Sequence, residues 1–238
     1  MARQVEIWND RAEIASRALL LCQLAYNDAI AKSDRFTIVA AGGSTPRVLY
    51  ELLKNKDWDW SKVHVFWGDE RYVPVTDPQS NEGMTRNAWL DHITIPAANI
   101  HGIPTNANDP SAAALQYEQH IQDFFEIETG IFPQFDLVLL GMGDDGHTAS
   151  LFPHTPALKV NDRLVTVGEK DGQPRITMTV PLINKAKEII FMIEGIAKAK
   201  ALKAVLAPSG DVNQYPSRLI TGNTIWLCDR TAMNKKKA

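Results

Sequence analysis

Five short runs limit what this chain can fold into: FTIVAA at 36–41, VHVFWG at 63–68, FDLVLLG at 135–141, EIIFMI at 188–193 and TIWLC at 224–228. Each is apolar at nearly every position, not at every second one. A strand with one wet face alternates, whereas a continuous apolar strand is covered on both faces. Helical patterns separate most of these runs. Ile14, Ala18, Leu21 and Ala25 recur at helical spacing within 9–31, and PRVLYELL follows GGST with Pro46 near its first turn. Further helices fit the segment from Asn81 through AWL, residues 110–128, and AKAKALKAVL at 197–206, which Pro208 and Gly210 end. LVTV at 164–167 and RITMTV at 175–180 read as additional strands. The pattern predicts an α/β fold, an open, mainly parallel sheet with helices on both faces. No repeat or low-complexity linker divides the chain. Residues 1–238 therefore read as one α/β domain, with 235–238 a frayed, solvated tail.

Composition serves mainly to exclude. A formal net charge of −3 gives no overall electrostatic case for nucleic acid. No apolar run approaches the roughly 18 residues of a membrane span. The opening MARQVEIWNDRAE carries acids and lacks the apolar stretch of a secretory signal. Cys22 and Cys228 are isolated, without CxxC spacing, and read as two buried free thiols of a reducing cytoplasm.

Ligands of parallel sheets bind beyond the carboxyl ends of the strands. That rule gathers three strand-ending turns, GGST, GDER and GMGDDGH, at one rim. In the first, two glycines admit close backbone approach and two hydroxyls stand at a helix start. This suits a phosphate, and it equally suits a capped turn with no ligand. In the second, Asp69, Glu70 and Arg71 follow a buried strand. One side chain is expected to face the cleft while another caps or pairs outside it. The alternative is an Arg–carboxylate pair that only fastens the turn.

The third turn contains a literal G-x-G-x-x-G in Gly141, Gly143 and Gly146. A dinucleotide fingerprint belongs to the first βα turn, with an acid ending the next strand about 20 residues later. Here the motif follows the third strand, and Asp162 precedes LVTV instead of ending it. Asp144 and Asp145 would also set carboxylates against a pyrophosphate. His147 suggests different chemistry. It falls at a predicted helix start, where the positive dipole end disfavours its protonation. A neutral imidazole takes a proton from water, and Asp145 is placed to orient it. The bland alternative is a histidine capping a turn. His154 follows, but no HExxH spacing supports a metal. Arg175 and Lys198 offer charge for an anionic ligand, while Lys200 and Lys203 share the helix of Lys198.

Taken together, AGGSTPRVLYELL, VFWGDERYVP, SNEGMTRNAWL, FDLVLLGMGDDGHTASLFP, RITMTVPLIN and EGIAKAKAL resemble, in order, the segments of 6-phosphogluconolactonases. The resemblance runs from about residue 5 to residue 230. It implies the fold shared with glucosamine-6-phosphate deaminases and ribose-5-phosphate isomerases. The implied activity is cytosolic hydrolysis of 6-phospho-D-glucono-1,5-lactone to 6-phosphogluconate in the oxidative pentose phosphate pathway, with neither metal nor organic cofactor. It makes His147 the general base and Asp145 its orienting partner. Gly43, Ser44, Thr45 and Lys198 match the phosphate site. Arg71 and Arg175 would serve the phosphate or the developing oxyanion, and Asp69 would line the cleft. The implied partner is a phosphorylated sugar lactone, and the oligomeric state stays open.

Two positions depart from the family pattern: Glu82 where many members have tyrosine, and His154 where many have glycine. Both are expected beside the cleft. An isomerase or deaminase of the same fold is the nearest rival. TASLFP after the DGH turn carries no carboxylate, and that favours the lactonase. A non-catalytic sugar-phosphate sensor would need neither Asp145 nor His147.

Overall fold

The computed structural model describes residues 3–235. Along the chain run β1 (Arg3–Trp8), α1 (Arg11–Ser33), β2 (Phe36–Ala40), α2 (Ser44–Leu53), β3 (Val63–Trp67), β4 (Asp69–Arg71), α3 (Asn81–Ala88) and β5 (Ile100–His101). There follow α4 (Pro110–Phe125), β6 (Leu137–Leu140), β7 (Val165–Lys170), β8 (Gln173–Met178), α5 (Val180–Asn184), β9 (Glu188–Ile193), α6 (Ala199–Leu206) and β10 (Thr224–Asp229). Seven strands form a parallel sheet in the order β1-β10-β9-β6-β2-β3-β5. Every residue of β2 and β6 is buried, as expected of strands covered on both faces. From β2 the chain moves on to β3 on one side, and from β6 it moves on to β9 on the other. The connections therefore diverge between neighbouring β2 and β6, and their carboxyl ends open a crevice there.

Buried polar groups fix both ends of these strands. At the amino ends, Asp136 accepts from the Thr37 N–H (2.8 Å) and hydroxyl (2.7 Å) and pairs with Lys187 (2.6 Å), tying β2, β6 and the approach to β9. Near the carboxyl ends, the Tyr50 hydroxyl bonds the N–H and C=O of Ala41, and the Tyr117 hydroxyl those of Trp67. Backbone groups that leave the ladder inside the core thus keep partners, as burial demands.

Several expectations need correction. LVTV and RITM are strands, as expected, but they lie outside the main parallel sheet. They form the hairpin β7–β8 in a separate antiparallel sheet, β4-β8-β7. The reason lies in the connection: Asp171 and Gly172, at φ 54° and 73°, close a tight hairpin turn, and parallel strands cannot be joined so briefly. DER, expected as a polar turn, is the third strand of that sheet. The helix expected at His147 is absent. Gly146 at φ 84° and Ala149 at φ 46° are incompatible with helical backbone, and Gly143 N–H bonds His147 O (2.8 Å) to close a compact turn. Strands β1 and β5 escaped the pattern, the first as a half-exposed edge and the second as two residues. Cys22 and Cys228 are buried and unbridged. No helix among the described residues is long and apolar enough to cross a membrane. Of the expected tail, 236–238 lie outside the described residues, while the Lys235 N–H bonds Arg230 O (2.7 Å).

Candidate functional site

A cavity of about 290 Å³ lies at the point where the connections diverge, walled by Ala40–Gly43 at the end of β2 and Leu139–Gly143 at the end of β6 and just beyond it. Gly68, Asp69, Arg71 and Asn81 close one side, and His147, Ala149, Arg175 and Lys198 complete the lining. All three turns expected at one rim therefore meet there.

Asp145 and His147 form a close polar pair at the cavity. Asp145 Oδ1 accepts from His147 Nδ1 (2.6 Å) and from the His147 backbone N–H (3.0 Å). A carboxylate only accepts, so Nδ1 carries the proton and Nε2 is left as the basic nitrogen. Partial burial pushes the Asp145 carboxyl up. The ring and backbone bonds from His147, with Lys170 farther off, outweigh it and hold the group down to about 2. A side chain at Gly143 would collide with Nδ1 and Cε1 of His147 and with Asp145 Oδ1, so the pair occupies space that only glycine leaves. Asp144 is exposed.

Glu70 fulfils the expectation that one acid of GDER would serve outside the cleft. It is 2% exposed and accepts from the N–H groups of Arg71, Asn81 and Glu82 and from the Ser80 hydroxyl, holding the start of α3. Burial pushes its carboxyl up despite these donors. Asp69 faces the cavity, where the Ser150 hydroxyl donates to Oδ2 (2.6 Å) and Asn81 Nδ2 to its carbonyl (2.8 Å).

The antiparallel register sets Arg71 directly opposite Arg175. Like charges facing each other across a ladder are destabilising unless something negative joins them. Both line the cavity, and Nε of each is buried without a partner among the described residues. Burial, with Arg71 adding repulsion, lowers the Arg175 guanidinium. Such a pair suits an anion with several acceptor oxygens.

Gly43, at φ 106°, caps α2 with no side-chain bond to its first turn, and it lines the cavity. Ser44 and Thr45 occupy that first turn outside the lining, and Thr45 Oγ1 donates to Glu194 (3.4 Å). Lys198 lines the cavity from the start of α6. Glu82 and His154 do not line it. Glu82 pairs with Arg86 (2.8 Å) beside Gly102, and His154 reaches Gln214 (3.1 Å). At φ 60°, His154 holds a backbone conformation that favours the glycine common at this position.

Asn81 and Ser150 are site residues that sequence reasoning missed as such. Asn81 occupies the volume a side chain at Gly42 would need, so a glycine and a polar residue far along the chain are coupled. Spacing alone carries no signal of that contact.

Fold and site define an open parallel α/β protein with a cationic cleft and a carboxylate–histidine pair where its connections diverge. The model of the glucosamine-6-phosphate isomerases/6-phosphogluconolactonase family matches residues 9–226, and the chain belongs to this family. It is 53% identical over 234 residues to a 6-phosphogluconolactonase from Synechocystis sp., covering 98% of each chain. A 6-phosphogluconolactonase from Trypanosoma cruzi superposes with a TM-score of 0.87 at 26% identity, covering 100% of this chain and 98% of that one. A monomeric glucosamine-6-phosphate deaminase shares the fold at TM-score 0.81 and 21% identity, covering 98% and 100%.

Proposed function

We propose that the protein hydrolyses 6-phospho-D-glucono-1,5-lactone to 6-phosphogluconate, with His147 as general base. The observation that carries this reading is His147, which lines the same cavity as Arg71, Arg175 and Lys198 and is bonded at 2.6 Å to Asp145 behind the lining. A lactone hydrolase for a phosphorylated sugar needs a water-activating base and an anion clamp within one substrate length. The 6-phosphogluconolactonases among its relatives support that choice of substrate.

In this mechanism His147 Nε2 removes a proton from water as the oxygen attacks C1. The Asp145 carboxylate steadies the imidazolium that forms. Collapse of the tetrahedral intermediate breaks the bond from C1 to the ring oxygen, and the imidazolium returns its proton to that oxygen. One water is consumed, and the ring opens to the acid. General base catalysis of this kind is worth about 10²- to 10⁴-fold. Lys198, the turn at Gly43 and the neighbouring hydroxyls of Ser44 and Thr45 bind the phosphate. Arg71 and Arg175 add charge to the phosphate or to the developing oxyanion, and a KM-against-kcat comparison of their glutamine variants separates those roles. Asp69 shapes the wall between them.

The test compares lactone hydrolysis, corrected for the spontaneous reaction, with deamination of glucosamine 6-phosphate. Lactone turnover that drops about 10²-fold or more in a folded His147→Ala variant is the expected result. Near-normal turnover in that variant would remove the base assignment, and faster deamination than lactone hydrolysis would overturn the substrate.

A further inference from the structure

Phe152 is 5% exposed, yet it stands apart from the contiguous apolar core that takes in its neighbour Leu151. Its ring meets polar groups instead. The His147 imidazole lies 4.5 Å away between centroids, tilted by 48°. The Arg175 guanidinium stands 5.5 Å from the ring centroid and the Lys170 ammonium 5.4 Å. A local fold-back brings Phe152 there. Ala149 turns at φ 46°, the Leu151 N–H bonds Thr148 O (3.0 Å), and these two residues form an isolated antiparallel bridge. Leu151 thereby enters the core while Phe152 returns to His147.

The bond from Nδ1 to Asp145 fixes one atom of the imidazole but leaves the ring able to rock about it. Gly143 bears on the Nδ1–Cε1 edge, and Phe152 packs against the ring. We propose that Phe152 is a positioning residue: it holds the His147 imidazole in one plane and keeps the Arg175 guanidinium at the cavity wall. One aromatic ring thus sets the base and an anion-binding group relative to each other. An aliphatic side chain of similar bulk fills the space, but it lacks the flat face and the quadrupole that attracts a cation. The inference rests on the lactonase reading for its kinetic part alone.

The test compares Phe152→Leu with Phe152→Tyr, which keeps the ring. Phe152→Leu is expected to lower kcat about tenfold, because small misplacements of a reacting group are costly. Its KM for the phosphorylated lactone rises about threefold as the cation–π contact is lost. Phe152→Tyr stays within about twofold of the parent, the ring face being retained. In an Arg175→Gln background the KM effect of Phe152→Leu vanishes, since the group it acts through is gone. The imidazole ¹⁵N spectrum of His147 needs no substrate: the parent shows the Nδ1–H tautomer with a narrow Nε2 resonance, and in Phe152→Leu the tautomer stays while that resonance shifts and broadens as the ring rocks. Unchanged kcat and an unchanged spectrum in Phe152→Leu overturn the proposal. So does an equal KM rise in both backgrounds, the mark of general loosening. If the parent does not hydrolyse the lactone while the spectrum shifts as described, the lactonase reading fails and the positioning of His147 stands.

Discussion

At His147 and Asp145 the chemistry depends on a turn and not on a helix. Without a helix dipole, orientation comes from the carboxylate at Nδ1 and from the space left by Gly143. Under the proposed mechanism other residues of the site act through charge, Lys198 most plainly. It reaches the cavity from the start of α6, while Lys200 and Lys203 continue onto that helix outside the lining. Under the proposed mechanism Lys198 meets the phosphate in ground state and transition state alike. Lys198→Ala should then raise KM for the lactone about tenfold with little change in kcat, the signature of lost uniform binding. Steady-state kinetics check this, and an unchanged KM would make Lys198 a solvated surface charge.

Among the elements, α3 and the small sheet decide the most. Helix α3 is only eight residues long, too short to stand without tertiary support. Glu70, arriving from β4, satisfies its first N–H groups and brings negative charge to the positive end. Glu70→Gln keeps the shape but turns an amide N–H₂ toward backbone donors, leaving buried groups unpaired. We expect a loss of about 1–3 kcal/mol in denaturant unfolding, the usual cost of orphaning a buried polar group. A midpoint equal to the parent's would mean that α3 is held by packing alone. The same sheet produces the Arg71–Arg175 pair. Each arginine was legible as a charge near the rim, but their juxtaposition was not, because it depends on DER, read as a turn, pairing antiparallel with RITM, a strand for which the sequence indicated no partner.

Across the whole molecule, stability toward mild acid draws on a row of three histidines outside the cavity lining. His64 Nδ1 meets His101 Nε2 at 3.1 Å, and His101 Nδ1 meets His120 Nε2 at 2.7 Å, with Phe66 stacked on His101 at 4.1 Å. Burial, with Arg35 adding repulsion, holds His64 down to about 4. Burial, with the two flanking histidines, holds His101 down to about 3. Burial also lowers His120, with Asp123 acting against it. The unfolded chain protonates these imidazoles near the ordinary value of about 6.5, so between there and about 4 it binds more protons than the native state. Stability is then full above that ordinary value and drains as pH falls through the window. His101→Phe removes one titrating group. Its stability should fall with pH less steeply than the parent's, by roughly 1 kcal/mol per pH unit at most, as melts from pH 7 to 5 will show. Parallel slopes would mean the row titrates alike in both states.

The sequence by itself determined the parallel sheet, because strands covered on both faces must be apolar at nearly every position. It also determined the Asp145–His147 pair, because the two lie within one turn and their bond is local. The tertiary structure alone decided the rest of the site. The cleft lies between β2 and β6 because the connections diverge there. Arg71 faces Arg175 because two separate segments pair in antiparallel register. Asn81 fills the space beside Gly42 because α3 is docked by Glu70. Those contacts join residues far apart in the chain, and no periodicity records which distant partner will arrive.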